Sequence, residues 1–218
     1  LASPSAPLAD YQAAGGVKDS QLEMLRKLEL SEAAHVELIA HGRRVGIEFM
    51  STPFDMESAD MLERLGMLRF KVPSGELTNR ALLRHLARKG KPLLVSTGMS
   101  TLAEVERTVR WIRESGAPEF TLLHCVTEYP APPAEANLSA MRTMREAFRV
   151  PVGYSDHTAG WDVALAAVAL GAAVLEKHMT LDRTLPGPDH AASLEPAEFK
   201  RMVDALRVVE SALGDGVK

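Results

Sequence analysis

The feature that most constrains the fold is a repeat, in which a short apolar run is followed by an amphipathic helical pattern. Such runs, rich in large apolar residues and lacking polar alternation, occur at 46–52, 69–76, 92–98, 120–125, 152–158 and 174–178. Runs without alternation indicate strands covered on both faces, and a helix between strands indicates a parallel, right-handed crossover. The repeat predicts an α/β fold, either an open parallel sheet or about six of the eight units of a closed TIM (β/α)₈ barrel.

Residues typical of helix ends support this division of the chain. Ser31 is predicted to cap a helix, and Thr101 with Glu104 has the spacing of a capping box. Ser193 is predicted to cap a last helix that has Pro196 in its first turn. The first twenty residues are rich in Ala, Ser, Pro and Gly, which predicts an exposed loop.

Composition restricts the classes of function. The 218 residues are 46% hydrophobic and 25% charged, which is typical of one soluble globular domain with a sizeable core. A net charge of −4 without basic runs argues against nucleic acid and anionic membranes as partners. The single cysteine, Cys125, argues against a disulfide framework and favours a cytoplasmic location. No membrane-spanning run or signal peptide is recognisable, and Leu1 in place of an initiator Met suggests a piece of a longer chain.

Polar side chains follow each predicted strand at its carboxyl end, which is the catalytic face of a parallel barrel. The most informative are His157 and His178, which lie 21 residues apart, the length of one strand, helix and strand step. The ends of neighbouring parallel strands lie about 4.8 Å apart, so the two imidazoles can share one metal ion. Asp156 is either a third ligand or a residue that orients a histidine by hydrogen bonding.

Hydroxyl groups and a lysine at the strand ends suggest a phosphate site. A phosphate dianion needs several hydrogen-bond donors and at least one positive charge. Glycines in the same segments would let a backbone approach a ligand closely. The residues concerned are Ser51, Thr52, Lys71, Ser74, Ser96, Thr97, Thr127 and Ser155, with Gly75, Gly98 and Gly153.

Several of these residues also have a structural interpretation. His124 lies inside an apolar run and is predicted to be a packing residue rather than a ligand. Lys177 alternates with the site residues along its strand, which predicts that it faces the helices and pairs with a carboxylate. Ser96 and Ser155 are equally well explained as helix N-caps.

Seven segments carry a family resemblance. They are FMSTPFD at 49–55, KVPSGELTN at 71–79, VSTGMS at 95–100, LLHCVTEYPAP at 122–132, GYSDHT at 153–158, EKHMTLD at 176–182 and PGPDH at 186–190. In this order and at these spacings they resemble the sialic acid synthase family, which includes synthases of N-acetylneuraminate, legionaminate and pseudaminate. The resemblance extends from about residue 11 to residue 213.

The resemblance implies a metal-dependent condensation of phosphoenolpyruvate with the open aldehyde form of an N-acetylated aminosugar, with release of phosphate. It implies that His157 and His178 hold the divalent ion, Mn²⁺ or Mg²⁺. It also implies that Glu76, Tyr129 and Asp189 face the sugar, with Glu76 a candidate for proton transfer. The residues implied to hold phosphoenolpyruvate are Lys71, Ser74, Ser96 and Ser155, with Thr52 and Thr127 nearby.

The resemblance further implies that residues 1–218 form a partial catalytic barrel. Family members have two earlier strands and a small C-terminal antifreeze-like domain that reaches the active site of a partner subunit, which implies a homodimer for the full-length protein. Two other functions remain open. One is a Schiff-base aldolase that uses Lys71 or Lys177 as the nucleophile, and the other is a non-catalytic fragment that binds a sugar phosphate.

Overall fold

The structure, a computed structural model, describes residues 20–217. The chain divides into two compact units. The first comprises Leu1–Val95 and Ala103–Phe120, and the second comprises Ser96–Leu102 and Thr121–Lys218. The loop predicted for the first twenty residues lies outside the described part, except for Ser20, whose side chain caps the first helix.

The first unit contains helices and two parallel strands. In chain order its elements are α1 (Gln21–Leu28), α2 (Glu32–Val45), α3 (Met56–Arg64), β1 (Phe70–Val72), α4 (Arg80–Arg88), β2 (Leu93–Ser96) and α5 (Leu102–Glu114). β1 pairs with β2 in parallel, with Phe70 opposite Leu93. The predicted cap of α2 is confirmed, because the Ser31 side chain accepts a hydrogen bond from the Ala34 N–H. The strands are short and fully apolar apart from Lys71 and Ser96, as expected for strands covered on both faces.

The second unit contains three parallel strands in chain order. Its elements are β3 (Phe120–Cys125), α6 (Ser139–Phe148), β4 (Val152–Asp156), α7 (Asp162–Ala169), β5 (Leu175–Lys177) and α8 (Pro196–Leu213). β4 pairs in parallel with β3 on one side and with β5 on the other. A core around Ala164, Leu194 and Met202 joins α7, the segment before α8, and α8 itself.

Two local predictions are wrong. The run at 46–52 forms no strand, so the described residues contain five strands rather than six. A strand requires a ladder of backbone bonds with a neighbour, whereas Ile47 donates its N–H back to Gly42 at the end of α2 and is 68% exposed. Ser193 does not cap α8. Its hydroxyl donates to the Asp189 carbonyl, and Glu195 is the N-cap, with Pro196 at the first helical position as predicted.

Within residues 20–217, no helix is long and apolar enough to cross a membrane.

Candidate functional site

The two histidines singled out by their spacing lie side by side in the second unit. Asp156 of β4 is in register with Lys177 of β5, so His157 and His178 leave adjacent strand ends at the same level. Their ring centroids are 5.3 Å apart, with the rings nearly perpendicular at 84°. Backbone hydrogen bonds fix both positions, because the His157 carbonyl accepts from the Ala131 N–H and the His178 carbonyl accepts from the Leu194 N–H. The predicted convergence of the two imidazoles is confirmed.

The hydrogen bonds of His157 determine its tautomer. Its Nδ1 contacts the Val126 carbonyl, which can only accept, so Nδ1 carries the proton. Burial lowers the pKa of His157, and this effect outweighs the opposing hydrogen bond to Val126. The imidazole is therefore neutral near pH 7, with an unprotonated Nε2. This is the form that binds a metal ion, with the other nitrogen held by a carbonyl.

The surroundings of His157 Nε2 favour a cation. The Ser155 hydroxyl lies 3.3 Å from Nε2 but donates its hydrogen to the Glu176 carboxylate at 2.6 Å. Two lone pairs therefore face each other, with a carboxylate behind them. A positive charge placed between them would turn this repulsion into attraction, so the arrangement fits a divalent ion.

Tyr129 and Asp189 complete the group around the two imidazoles. The Tyr129 ring lies 4.2 Å from the His157 ring and 5.4 Å from the His178 ring, measured between centroids. Asp189 Oδ2 lies 3.9 Å from His178 Nδ1, and its buried Oδ1 has no hydrogen-bond partner in the described chain. Among residues 20–217 no group of three or more His, Cys, Asp or Glu is arranged to hold a metal ion. An ion at this position would thus have no third ligand of these four types within residues 20–217.

The described hydrogen bonds of Asp156 go to residues other than the two histidines. One carboxylate oxygen accepts from the Thr158 N–H and hydroxyl at 2.9 and 2.8 Å, and the other accepts from Lys177 Nζ at 2.8 Å. Both oxygens therefore have partners and neither bonds to a histidine ring, so a role as third ligand or as a direct hydrogen-bond partner of a histidine has no support in these contacts. The prediction that Lys177 pairs with a carboxylate is confirmed.

His124 is a packing residue, as predicted. Its Nε2 bonds to the Ala136 carbonyl at 2.9 Å, and its ring lies 5.9 Å from the Tyr154 ring. Burial lowers its pKa, as it does for His157. The two histidines differ in their surroundings. The described contacts of His124 are with a carbonyl and a ring, whereas His157 contacts Ser155, which is bonded to the Glu176 carboxylate.

The two serines are strand residues and not helix caps. Ser96 is the last residue of β2, and its buried Oγ has no hydrogen-bond partner in the described chain. Ser155 lies inside β4 and is bonded to Glu176. Both hydroxyls lie where the strands end, in keeping with a ligand site. Thr127, two residues after β3, is partly exposed.

Four of the predicted site residues belong to the first unit. Lys71 is buried in β1, Ser74 and Glu76 form a 3₁₀ turn after it, and Thr52 lies in the segment that forms no strand. The Glu76 carboxylate accepts a hydrogen bond from the Asn79 side chain at 2.7 Å, while Asn79 caps α4. A carboxylate, an ammonium and a hydroxyl thus lie within six consecutive residues, 71–76.

Gly153 has a different role from the one predicted. A Cβ atom there would lie 2.3 Å from the Val174 carbonyl oxygen and 2.8 Å from Leu123 Cδ2. The missing side chain therefore makes room for a neighbouring strand rather than for a ligand. Gly75, in contrast, has nothing within 4 Å of the position of its Cβ.

Sequence reasoning missed the contact between Ser155 and Glu176, although the signal was present. These residues are also 21 positions apart and are opposite each other in the β4 and β5 register. The same spacing that predicted the histidine pair predicts this pair. The hydrogen bond between His157 and the Val126 carbonyl could not be predicted from spacing, because the position of that carbonyl depends on the turn after β3.

Comparison with known proteins identifies relatives along the whole chain. The profile of the NeuB family matches residues 1–218. An N,N'-diacetyllegionaminic acid synthase of Campylobacter jejuni is 51% identical over 99% of this chain and 66% of its own length. A protein of the same name from Legionella pneumophila is 46% identical over 100% of this chain and 63% of its own length. The chain thus spans less than two thirds of the length of these relatives.

The fold has a close counterpart among solved structures. The crystal structure of an N-acetylneuraminic acid synthetase from Leptospira borgpetersenii, in complex with citrate, superposes with a TM-score of 0.88. The two proteins share 34% sequence identity, and the match covers 95% of this chain and 73% of that one.

Proposed function

Because the chain belongs to the NeuB family, we propose that it is the larger part of a (β/α)₈ barrel that condenses phosphoenolpyruvate with an N-acetylated aminosugar. Carbon 3 of phosphoenolpyruvate attacks the aldehyde carbon of the sugar, water adds to carbon 2, and phosphate leaves. Candidate sugars are N-acetylmannosamine and 2,4-diacetamido sugars. The two legionaminic acid synthases among the relatives favour a diacetamido sugar.

The observation that carries this proposal is the neutral His157 imidazole, with its unprotonated Nε2, beside the His178 ring. A divalent ion, Mn²⁺ or Mg²⁺, would be held by His157 and His178 and would supply Lewis-acid polarisation of the aldehyde oxygen. Val126 keeps the His157 lone pair available for this purpose. Glu176 supplies negative charge behind it.

The remaining residues bind and orient the substrates in this proposal. Asp189 Oδ1, which is buried without a partner in the described chain, accepts a hydrogen bond from a hydroxyl of the sugar. The Tyr129 ring, next to His178, packs against the sugar. Glu76 holds or moves a proton on the sugar. Lys71 supplies the positive charge for the phosphate. The hydroxyl groups that complete the phosphoenolpyruvate site are those of Thr52, Ser74, Ser96, Thr127 and Ser155.

A Schiff-base aldolase that uses Lys177 has no support in the contacts of this residue. The Lys177 side chain is 1% exposed, and its Nζ donates to Asp156 and to the Thr158 carbonyl. A nucleophilic lysine must lose its proton and reach a carbonyl carbon. A side chain that is held in this way and is almost inaccessible does not reach a substrate carbonyl carbon.

The test is phosphate release from phosphoenolpyruvate with Mn²⁺, on the full-length protein that contains this chain. We compare N-acetylmannosamine with 2,4-diacetamido-2,4,6-trideoxymannose and expect release with the diacetamido sugar. His178→Ala should abolish release and Mn²⁺ binding without changing the circular dichroism spectrum, whereas His41→Ala, an exposed histidine on α2, should change neither. Release without metal, or a covalent adduct with pyruvate after borohydride reduction, would refute the proposal.

The proposal extends to the setting of the enzyme. We place it in the cytoplasm, as a homodimer in its full-length form. Sedimentation equilibrium of the full-length protein tests the dimer.

A further inference from the structure

A buried ion pair lies directly behind the two histidines. Lys177 Nζ and Asp156 Oδ2 are 2.8 Å apart, and the two side chains are 1% and 0% exposed. Each residue comes immediately before one of the histidines. Successive side chains of a strand point to opposite faces, so the ion pair lies on the face away from Ser155 and Glu176. Its described hydrogen bonds go to Thr158, which we assign neither to the metal nor to the substrates.

Lys177, the residue before His178, is bonded to the residues on either side of His157 in sequence, which are Asp156 and Thr158. Lys177 Nζ donates to Asp156, and also to the Thr158 carbonyl at 2.6 Å. Asp156 in turn accepts from the Thr158 N–H and hydroxyl. The residues before and after His157 are thus held to each other and to β5. Any shift of β5 along β4 would break these bonds, and it would also separate the two imidazoles.

Stability alone gives no reason for such a pair. Desolvation of two buried charges offsets most of their attraction, and apolar residues of similar volume often stabilise a protein as well. Contacts between apolar side chains are not directional, so an apolar pair would allow β5 to shift along β4. The three hydrogen bonds that Asp156 accepts are directional and would not allow this shift. The pair is explained if it fixes the relative position of the residues that follow it.

We propose that Asp156 and Lys177 are positioning residues, which hold His157 and His178 at the level and separation that a shared divalent ion requires. This inference rests on the proposed function, since it assumes that the two imidazoles share a metal ion. It adds a role for two residues that have no contact with the reacting atoms.

The test is Mn²⁺ affinity, measured by calorimetry on the full-length protein that contains this chain, with the double variant Asp156→Asn and Lys177→Met. The amide introduced by Asp156→Asn keeps an acceptor for Thr158 and can donate to the Thr158 carbonyl, so the turn is retained while the bridge to β5 is lost. We expect the dissociation constant for Mn²⁺ to rise about 10- to 100-fold, the usual effect of losing a residue that orients ligands.

The matched control makes the same two substitutions elsewhere in the second unit. Asp204→Asn with Lys200→Met removes an exposed i,i+4 ion pair on α8 and should leave Mn²⁺ affinity unchanged. All measurements are made well below the unfolding temperature of each variant, so a merely structural loss does not alter the result. If the double variant does not fold, Asp156→Asn with Lys177→Gln replaces it, because this pair leaves no unpaired buried charge, and a rise of at least about 10-fold is expected.

The outcomes separate this inference from the proposed function. A folded double variant with the affinity of the wild type overturns the positioning role and leaves the metal site in place. Equal Mn²⁺ binding by the wild type and His178→Ala overturns the metal site itself, and the positioning role with it.

Discussion

Two networks of lysine and carboxylate in this chain use the same residue types in opposite surroundings. In the second unit Lys177 and Asp156 are fully buried between strand ends. In the first unit Lys89, the C-cap of α4, reaches Asp60 and Glu63 of α3, and His85 of α4 also bonds to Asp60, at 2.6 Å. Asp60 is 47% exposed. The Lys89 side chain is 7% exposed, so the two networks differ in the exposure of their carboxylates, which water reaches at Asp60 and does not reach at Asp156.

The difference shows that burial, and not the number of bonds, decides what an ion pair does. Asp60 has two cationic or donor partners, yet water can solvate it when either is removed. Asp156 has one cationic partner and no access to water, so it depends on Lys177. The network of Lys89, Asp60 and Glu63 joins two helices, whereas the pair of Lys177 and Asp156 fixes the register between β4 and β5.

The largest effect is expected from Lys177→Met. It leaves the Asp156 carboxylate buried and without its cation, which should lower the free energy of unfolding by about 3–5 kcal/mol. Urea denaturation followed by circular dichroism measures this loss. Adding Asp156→Asn should recover most of it, because the buried charge is then absent. A loss below about 1 kcal/mol, as for a surface pair, would contradict the contrast between the two networks.

A smaller loss of stability is expected from a substitution at Gly153, where the packing is tight but no charge is buried. Gly153→Ala places a Cβ atom against the Val174 carbonyl, so β4 and β5 must move apart, at a cost of about 1–3 kcal/mol. The same change at Gly75, in the first unit, meets no atom within 4 Å and serves as the control. Similar thermal unfolding of the two variants would show that the β4 and β5 contact is looser than described.

The smallest effect is expected from Asp60→Asn, and it should depend on pH. Hydrogen bonds from Lys89 and then His85 lower the pKa of Asp60 below its ordinary value of 3.8. A lowered pKa in the folded state stabilises the protein above about pH 4, and this contribution is lost as the pH falls through the lowered value. The stability difference between the wild type and Asp60→Asn should therefore be present at pH 7 and vanish on acidification.

Lys89→Met is the control for this pH dependence. It removes the main cause of the lowered pKa, so the stability of this variant should vary less than that of the wild type as the pH falls below about 4. High salt should reduce the difference between the two proteins, because an exposed ion pair is screened. A difference that grows on acidification would contradict the assignment.

The sequence predicted the parts of the fold that depend on local pattern. Five strands and the helices between them follow from apolar runs and helix ends, and the run at 46–52 failed because a strand also needs a neighbour. The histidine pair was predictable because parallel strands convert a fixed spacing along the chain into proximity. The role of His124 followed from its apolar surroundings.

The remaining details depend on contacts that no local pattern records. Asp156 was expected to contact the metal ion or a histidine ring directly, yet its partners are set by the face on which Lys177 emerges and by the turn that carries Thr158. The hydrogen bond from His157 to Val126 depends on the path of the loop after β3. Gly153 was placed at a ligand because the close approach of Val174 is invisible in the sequence.

The register between β4 and β5 has a consequence for insertions and deletions. The alignment of His157 with His178 is set by the pairing of Asp156 with Lys177 and not by the length of the chain between them. Residues added at the exposed turn around Gly171, after α7, change the spacing of 21 without moving either histidine. One residue added inside β5 transfers every later side chain to the opposite face. Variation in length is therefore tolerated in the connection and excluded from the strand.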